Sequence, residues 1–155
     1  MTISVTEYFK TRKDDRKKHP MNCVTYGEAA AFCASHGKRL PSEREWESVA
    51  SGAKGTPFPW GTAAPENQAC WLRATEGTCA VGDVKGSATP QGAVDLAGNV
   101  WEWTHTCGKS AKGVCEAYVR RGGSYRSTTP AELTTTTSAL AAPSLRSPEL
   151  GFRCV

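Results

Sequence analysis

The spacing of apolar residues in the N-terminal half of the chain predicts a first short helix over residues 25–37. Thr25 stands where an N-cap residue is expected, because its hydroxyl can accept a hydrogen bond from a free backbone N–H of the first turn. Gly37 follows the segment at the position typical of a helix end. The residues expected on one face of this helix are Ala29, Phe32, Cys33 and His36.

A second helix is predicted over residues 42–52. Ser42 and Glu45 have the spacing of a capping box, in which each side chain accepts a hydrogen bond from the other residue's backbone N–H. Gly52 ends the segment. Its buried stripe is predicted to consist of Trp46, Val49 and Ala50.

The remaining chain has no sustained helical period. Gly, Pro and Asn interrupt residues 52–93, which predicts loops and short strands. Residues 116–127 (EAYVRRGGSYRS) look like a strand interrupted by a glycine pair, and residues 150–155 (LGFRCV) like a last strand. The decamer 95–104 (DLAGNVWEWT) matches neither an amphipathic helix nor a plain alternating strand, although it holds two of the five tryptophans.

Length and charge limit the classes of function. A chain of 155 residues is long enough for one domain with its own core. The net charge of +4 arises largely in residues 10–20 (KTRKDDRKKHP), so we interpret residues 1–18 as a basic N-terminal arm with a short strand and residues 19–155 as the domain. No aromatic residues alternate with these charges, so nucleic acid is not an expected partner. No segment has the length and apolarity of a membrane span, and residues 1–10 lack the apolar core of a signal peptide.

Seven cysteines are many for this length. Cys70 and Cys79 flank one short loop and Cys107 and Cys115 another, which predicts two local disulfides. A zinc site would need closer pairs, such as Cys-x-x-Cys, and the sequence has none. Disulfides favour an extracytoplasmic, oxidising compartment, whereas no export signal is visible. The sequence leaves this conflict open.

Five segments in a fixed order closely resemble the formylglycine-generating enzyme (sulfatase-modifying factor) family. They are HPMNCVTYGEAAAFCASHGKRLPSEREWE, FPWG, DLAGNVWEWT, RRGGSY and LGFRC, and the resemblance runs from about residue 19 to the C-terminus. It implies a C-type-lectin-like α+β fold that is irregular and loop-rich. Two helices and a small twisted antiparallel sheet are expected.

The resemblance also implies a calcium site in the decamer. In family members the corresponding loop binds calcium through backbone carbonyls and one carboxylate, which here would be the carbonyls of Asp95, Gly98 and Val100 and the side chain of Glu102. A glycine-containing turn can bring such hard oxygen ligands together. Trp101 and Trp103 would then point to opposite sides, one into the core and one beside a surface groove. In the alternative interpretation, Glu102 only accepts backbone hydrogen bonds and both tryptophans belong to the core.

The resemblance pairs Cys33 with Cys154, which would connect the first helix to the last strand. Closing so long a loop should stabilise the fold by about 4 kcal/mol in the chain-entropy model. Cys23 is then left without a partner. It is interpreted as a free cysteine, since no neighbouring group is seen that would make it reactive.

The sequence departs from the family where the oxidases bind copper. Their two copper-binding cysteines follow the RGGS-type segment, and the corresponding positions here are Ser127 and Glu132. A hydroxyl and a carboxylate do not supply the soft thiolate pair that Cu(I) prefers. Copper and the oxidase reaction are therefore not expected. The three histidines, His19, His36 and His105, have no spacing that indicates an iron site.

We therefore predict a module that binds a protein or small-molecule ligand through a loop surface. The residues expected on it are Trp103, Tyr125, Arg126, Ser127, Thr128, Thr129, Glu132, Thr134, Thr135, Thr136 and Thr137. The first alternative is a variable protein of a diversity-generating retroelement, because such proteins share the scaffold and diversify the C-terminal segment. The second is an oxygen- or metal-dependent oxidoreductase of uncharacterised chemistry.

A strand-pairing partner is a further expectation. Family members begin with several dozen residues that add strands beside the last one, and only residues 3–10 resemble that region. The resemblance therefore implies an unpaired sheet edge. A partner strand or a second copy of the chain could cover it.

Overall fold

The computed structural model describes residues 16–155. The basic arm predicted over residues 1–18 therefore lies outside the described residues, except for its last three. Within residues 16–155, two helices come first, α1 (Tyr26–Ser35) and α2 (Glu43–Ser51). The strands follow as β1 (Trp101–Ala111), β2 (Val114–Arg121), β3 (Ser138–Ala141) and β4 (Leu150–Gly151), with a short 3-10 helix at Pro130–Leu133 between β2 and β3.

Both predicted helix caps are confirmed. The Thr25 hydroxyl accepts from the Glu28 backbone N–H, and the Ser42 hydroxyl accepts from that of Glu45. The Glu45 carboxylate accepts the Ser42 N–H in return and also pairs with Arg39, which holds the pKa of Glu45 at about 2. These contacts are local in sequence, which is why the pattern could predict them.

Fewer residues of each helix are buried than the apolar pattern predicts. In α1, Ala29 and Cys33 are buried, whereas Phe32 is half-buried and His36 is exposed beyond the end of the helix. In α2, Trp46 and Ala50 are buried. The prediction for Val49 is wrong, because its side chain lies at the flank of the stripe and is 43% exposed.

The four strands form one sheet in the order β3-β2-β1-β4. β1 and β2 pair antiparallel, as do β2 and β3. β4 instead runs parallel to β1, with Trp101 opposite Leu150, so the small sheet is mixed rather than wholly antiparallel. The strand predicted to be interrupted by the glycine pair ends at Arg121, directly before it.

The two helices cover opposite faces of the sheet. Trp103 is completely buried in a cluster with Ala29, Cys33 and other apolar residues of the α1 side. Its neighbour Glu102 contacts Trp46 of α2. Successive residues of a strand point to opposite faces, so β1 presents its tryptophan to one helix and its carboxylate to the other.

The outer edge of β4 is covered in part. Asn22 forms a single antiparallel bridge with Gly151, and Val155 exchanges two backbone hydrogen bonds with Arg39. In the described part of the chain, β3 is the other edge strand. A strand-pairing partner stays a prediction.

Three disulfides are present, between Cys33 and Cys154, Cys70 and Cys79, and Cys107 and Cys115. All three predicted pairings are confirmed, and Cys23 is free as expected. Such bonds are consistent with an oxidising environment. Over residues 16–155, none of the helices has the length and apolarity needed to cross a membrane.

Replacing both Cys33 and Cys154 by Ser should lower the free energy of unfolding by about 4 to 5 kcal/mol, because the bond closes a loop across 121 residues. Replacing Cys107 and Cys115, only 8 residues apart, should cost about 2 to 3 kcal/mol. Urea unfolding without reductant, in a Cys23→Ser background that prevents disulfide exchange, measures both. An equal loss for the two pairs would show that loop length does not decide the effect.

Candidate functional site

The decamer 95–104 begins as a buried turn and continues as strand β1. Asp95, Gly98 and Asn99 have positive φ angles of 55°, 77° and 61°. Position 98 also requires glycine because the Cys70 backbone lies against it, and a Cβ there would be 2.5 Å from the Cys70 carbonyl oxygen. The turn therefore packs its backbone directly against the loop closed by Cys70 and Cys79.

Asn99 is the residue that joins this turn to its neighbours. Its side-chain amide accepts from the Cys79 N–H at 3.1 Å and donates to the Cys79 carbonyl at 3.3 Å. Its backbone N–H donates to the Cys70 carbonyl, and its carbonyl accepts from the Tyr125 N–H, both at 2.8 Å. None of these partners is adjacent to Asn99 in sequence, so the residue pattern around it predicts no such role.

Glu102 is held by two side-chain donors. Its carboxylate is 5% exposed and accepts from Trp46 Nε1 at 2.6 Å. Arg153 donates to it through Nε and Nη2, also at 2.6 Å each. Burial lowers the pKa of Arg153, but the charge and hydrogen bonds of Glu102 outweigh burial and raise that pKa above its ordinary value.

This arrangement does not fit the calcium role predicted for Glu102. Both carboxylate oxygens already accept hydrogen bonds from a guanidinium, which would also repel a divalent cation. Asp95, Gly98 and Val100 lie in the same buried turn. Between residues 16 and 155, no group of three or more His, Cys, Asp or Glu side chains could hold a metal ion.

The glycine pair that follows β2 brings Ser127 and Glu132 together. A Cβ on Gly123, whose φ is +72°, would lie 3.0 Å from Ser127 Oγ and 2.6 Å from the Glu132 carbonyl oxygen. Ser127 Oγ accepts the Ser124 N–H at 3.1 Å. The Glu132 carboxylate accepts the Thr128 N–H at 3.0 Å. Both residues therefore stabilise the backbone of this loop.

Arg121 connects the threonine-rich segment to the scaffold. Its guanidinium, 1% exposed, donates to the carbonyls of Thr136 at 3.0 Å and Thr135 at 3.1 Å. It also pairs with Glu43 and Glu47 of α2. Thr135 is itself buried, so the backbone of this segment is held against the interior of the domain.

The residues predicted to bind a ligand divide into two groups. Trp103, Tyr125, Ser127 and Thr135 are buried, so their prediction as surface residues is wrong. Trp103 in particular donates its indole N–H to the Val24 carbonyl inside the core. The others remain at the surface and are called the candidate surface below: Arg126, Thr128, Thr129 and Thr136, which are exposed, and Glu132, Thr134 and Thr137, which are half-buried.

Leu72 adds an apolar side chain beside the candidate surface. It is 58% exposed and has a φ of 56°, an unusual combination for a bulky residue. Its N–H donates to the Ser127 carbonyl, and the next N–H, of Arg73, donates to the Tyr125 carbonyl. The sequence contained no signal for this contact beyond the position of Leu72 in the Cys70–Cys79 loop.

Comparisons with known protein sequences all indicate the same family. A family model for the sulfatase-modifying factor enzyme 1-like domain matches residues 3–155. The inactive C-alpha-formylglycine-generating enzyme 2 of Bos taurus is 35% identical over 90% of this chain and 51% of its own length. The formylglycine-generating enzyme of Mus musculus is 31% identical over 71% of this chain and 36% of its own. The chain thus spans about half or less of these curated relatives.

A solved structure also superimposes on most of the chain. Treponema denticola variable protein 1 aligns with a TM-score of 0.76 at 20% identity, covering 92% of this chain and 72% of its own. At this level of identity the likeness concerns the fold. It matches the C-type-lectin-like α+β architecture predicted from the sequence.

Asp95→Asn should stabilise the protein at neutral pH. Burial raises the pKa of Asp95, so the folded state binds this proton more tightly and loses stability as the pH rises above about 3.9, the ordinary value for Asp. Asn cannot ionise and still accepts the Gly82 N–H. The melting temperature of Asp95→Asn should exceed that of the wild type at pH 7, and the difference should shrink near pH 4. A variant that melts lower than the wild type at pH 7 would contradict this.

Calcium binding at the decamer, which the resemblance implies, can be tested by thermal unfolding. With Glu102 paired to Arg153, thermal unfolding in calcium chloride should match that in magnesium chloride at equal concentration. A rise in melting temperature specific to calcium would restore the prediction made from the sequence. It would also require Glu102 to leave Arg153.

Proposed function

The chain belongs to the sulfatase-modifying factor enzyme 1-like family, and from that premise we propose that it is a non-catalytic binding module. It binds a protein or small-molecule ligand through the candidate surface. Support comes from a relative at 35% identity that is named as an inactive formylglycine-generating enzyme. The whole-protein activity of the relatives is not carried over, since the chain spans only part of their length.

The main support for the proposal is the hydrogen bonding of the Ser127 and Glu132 side chains. Both side chains accept hydrogen bonds from the backbone of their own loop. They stand where the oxidases have two copper-binding cysteines, and neither can supply the soft sulfur ligand that Cu(I) prefers. The loop is thus stabilised by hydrogen bonds at the positions where a thiolate pair would act.

The second support is the contrast between fixed backbone and exposed side chains. Tyr125, Ser127, Leu133 and Thr135 are buried and tie the segment to the scaffold. Arg126, Thr128, Thr129 and Thr136 point outward between them. A rigid backbone with outward polar side chains limits the entropy lost on binding. Leu72 adds apolar area, which the polar candidate surface otherwise lacks.

Ser127→Cys combined with Glu132→Cys should create Cu(I) affinity that the wild type lacks, because both positions lie around Gly123. A chromophoric chelator competition under reductant-controlled, oxygen-free conditions measures the affinity, with Ser127→Cys alone as the matched control. Metal analysis of the purified wild type should find no stoichiometric copper or iron. Stoichiometric copper or iron in the wild type would instead favour an oxidoreductase of this family.

A variable protein of a diversity-generating retroelement is the second candidate. The fold likeness to Treponema denticola variable protein 1 favours it, as does the alternation of buried and exposed residues between 125 and 137. In such a system, diversification would need to spare the buried residues. The exposed ones could change without loss of the fold.

Sequencing the gene from many isolates of the source population distinguishes the two. Diversification predicts variation concentrated at codons 126, 128, 129 and 136, with codons 127, 133 and 135 constant, and a reverse transcriptase and template repeat nearby. Variation spread evenly over exposed residues of the whole domain would exclude diversification. A fixed binding module would remain.

A further inference from the structure

Arg120 has a large charged side chain with no acidic partner. It lies in β2, and its guanidinium carbon is 4.8 Å from the centre of the Trp101 ring. Its Nε is buried without a hydrogen-bond partner. Within residues 16–155 its side-chain nitrogens form no hydrogen bond or ion pair, whereas the buried Arg121 and Arg153 each pair with a carboxylate, although Arg121 Nε is also unpaired.

The half-buried guanidinium of Arg120 lacks hydrogen-bond acceptors for its N–H groups. Burial lowers the pKa of Arg120, although the charge of Glu149 raises it, and an arginine stays protonated under all ordinary conditions. The Trp101 ring can stabilise one face of the cation but accepts no N–H in the plane of the guanidinium. Because Nε is buried, the donors of Arg120 that an acceptor from outside the chain can reach are its two Nη groups.

The one nearby carboxylate is engaged elsewhere. Glu149 accepts from Ser124 Oγ at 2.7 Å through Oε2, and its Oε1 lies 3.8 Å from Arg126 Nε. Glu149 thus lies between Arg120 and Arg126 without a hydrogen bond to Arg120. Two guanidinium groups and one carboxylate leave a formal charge of +1, which a monoanion would neutralise.

We propose that Arg120 and Trp101 form a binding site for a carboxylate group. The carboxylate lies in the plane of the guanidinium and accepts two parallel N–H bonds, while Trp101 backs the guanidinium face. A phosphate dianion suits the site less well, because it would carry the charge past neutrality beside Glu149. The site goes beyond the proposed function and is independent of it, since neither residue belongs to the candidate surface.

The carboxylate can come from a free small acid or from an acidic side chain of a peptide. Both share the planar, singly charged group that the site recognises. Sodium acetate and the capped peptide Ac-Gly-Glu-Gly-NH2 represent the two sources. Sodium chloride and sodium phosphate at matched ionic strength serve as the competing anions.

The test is an NMR titration of the folded protein that follows the Arg120 Nε–Hε and Trp101 indole signals. Both signals should shift and saturate with acetate and with the peptide, while the Arg121 Nε–Hε signal stays unchanged. Arg120→Lys keeps the charge but loses the paired donors, so affinity should fall roughly tenfold or more. Arg44→Gln removes an exposed positive charge on α2, outside the site, and should weaken binding much less.

Tighter binding of the peptide than of acetate would assign the site to a peptide ligand, and equal binding to small acids. The proposal is overturned if chloride or phosphate produces the same saturable shifts as acetate. It is also overturned if Arg120→Lys binds acetate as the wild type does, or if Arg44→Gln loses as much affinity as Arg120→Lys. Unchanged melting temperatures of both variants serve as the control for folding.

Discussion

The buried guanidinium of Arg121 fixes the threonine-rich segment to the rest of the domain. It joins strand β2 to two carboxylates of α2 and to two backbone carbonyls of the threonine segment, at Thr135 and Thr136. A buried cation is tolerable only when several acceptors surround it, and removing one partner of a buried pair typically costs about 3 to 5 kcal/mol. The segment after the glycine pair therefore holds its backbone position even though it has little regular structure.

The decamer provides a second connection of the same kind. Glu102 links α2, through Trp46, to the C-terminal segment, through Arg153, and Asn99 links the Cys70–Cys79 loop to Tyr125. These contacts explain why an acidic residue, an amide and two tryptophans stand so close together. Glu102 bonds to α2, Asn99 bonds to the neighbouring loops, and Trp103 packs into the core on the α1 side.

Much of the fold could be predicted because its signals are local or belong to a family. Capping boxes and the two short-loop disulfides depend on residues within ten positions of each other. The Cys33–Cys154 bond followed only from the resemblance. The partners of Arg121 in α2 are 74 and 78 residues away, and periodicity contains no information about such a pair.

The candidate site was harder to predict for the same reason. The resemblance pointed to the segment 125–137 but not to which of its side chains are exposed, since the loop follows neither a helical nor a strand period. Tyr125, Ser127 and Thr135 are buried because the backbone turns them toward Asn99, Ser124 and Thr56. Leu72 lies beside the candidate surface although it belongs to the Cys70–Cys79 loop, which is distant in sequence. The parallel pairing of β4 with β1 also depends on contacts between residues far apart in sequence.

We propose that hydrogen bonds at Ser127 and Glu132 hold the loop of this scaffold and that the protein binds a ligand without oxidising it. Mass spectrometry of a sulfatase-type cysteine peptide, after incubation with the purified protein, Cu(I) and oxygen, distinguishes binding from oxidation, with a formylglycine-generating enzyme as the positive control. The peptide should keep its thiol and its mass. Conversion of that cysteine to formylglycine by the wild-type protein would show that the scaffold is catalytic.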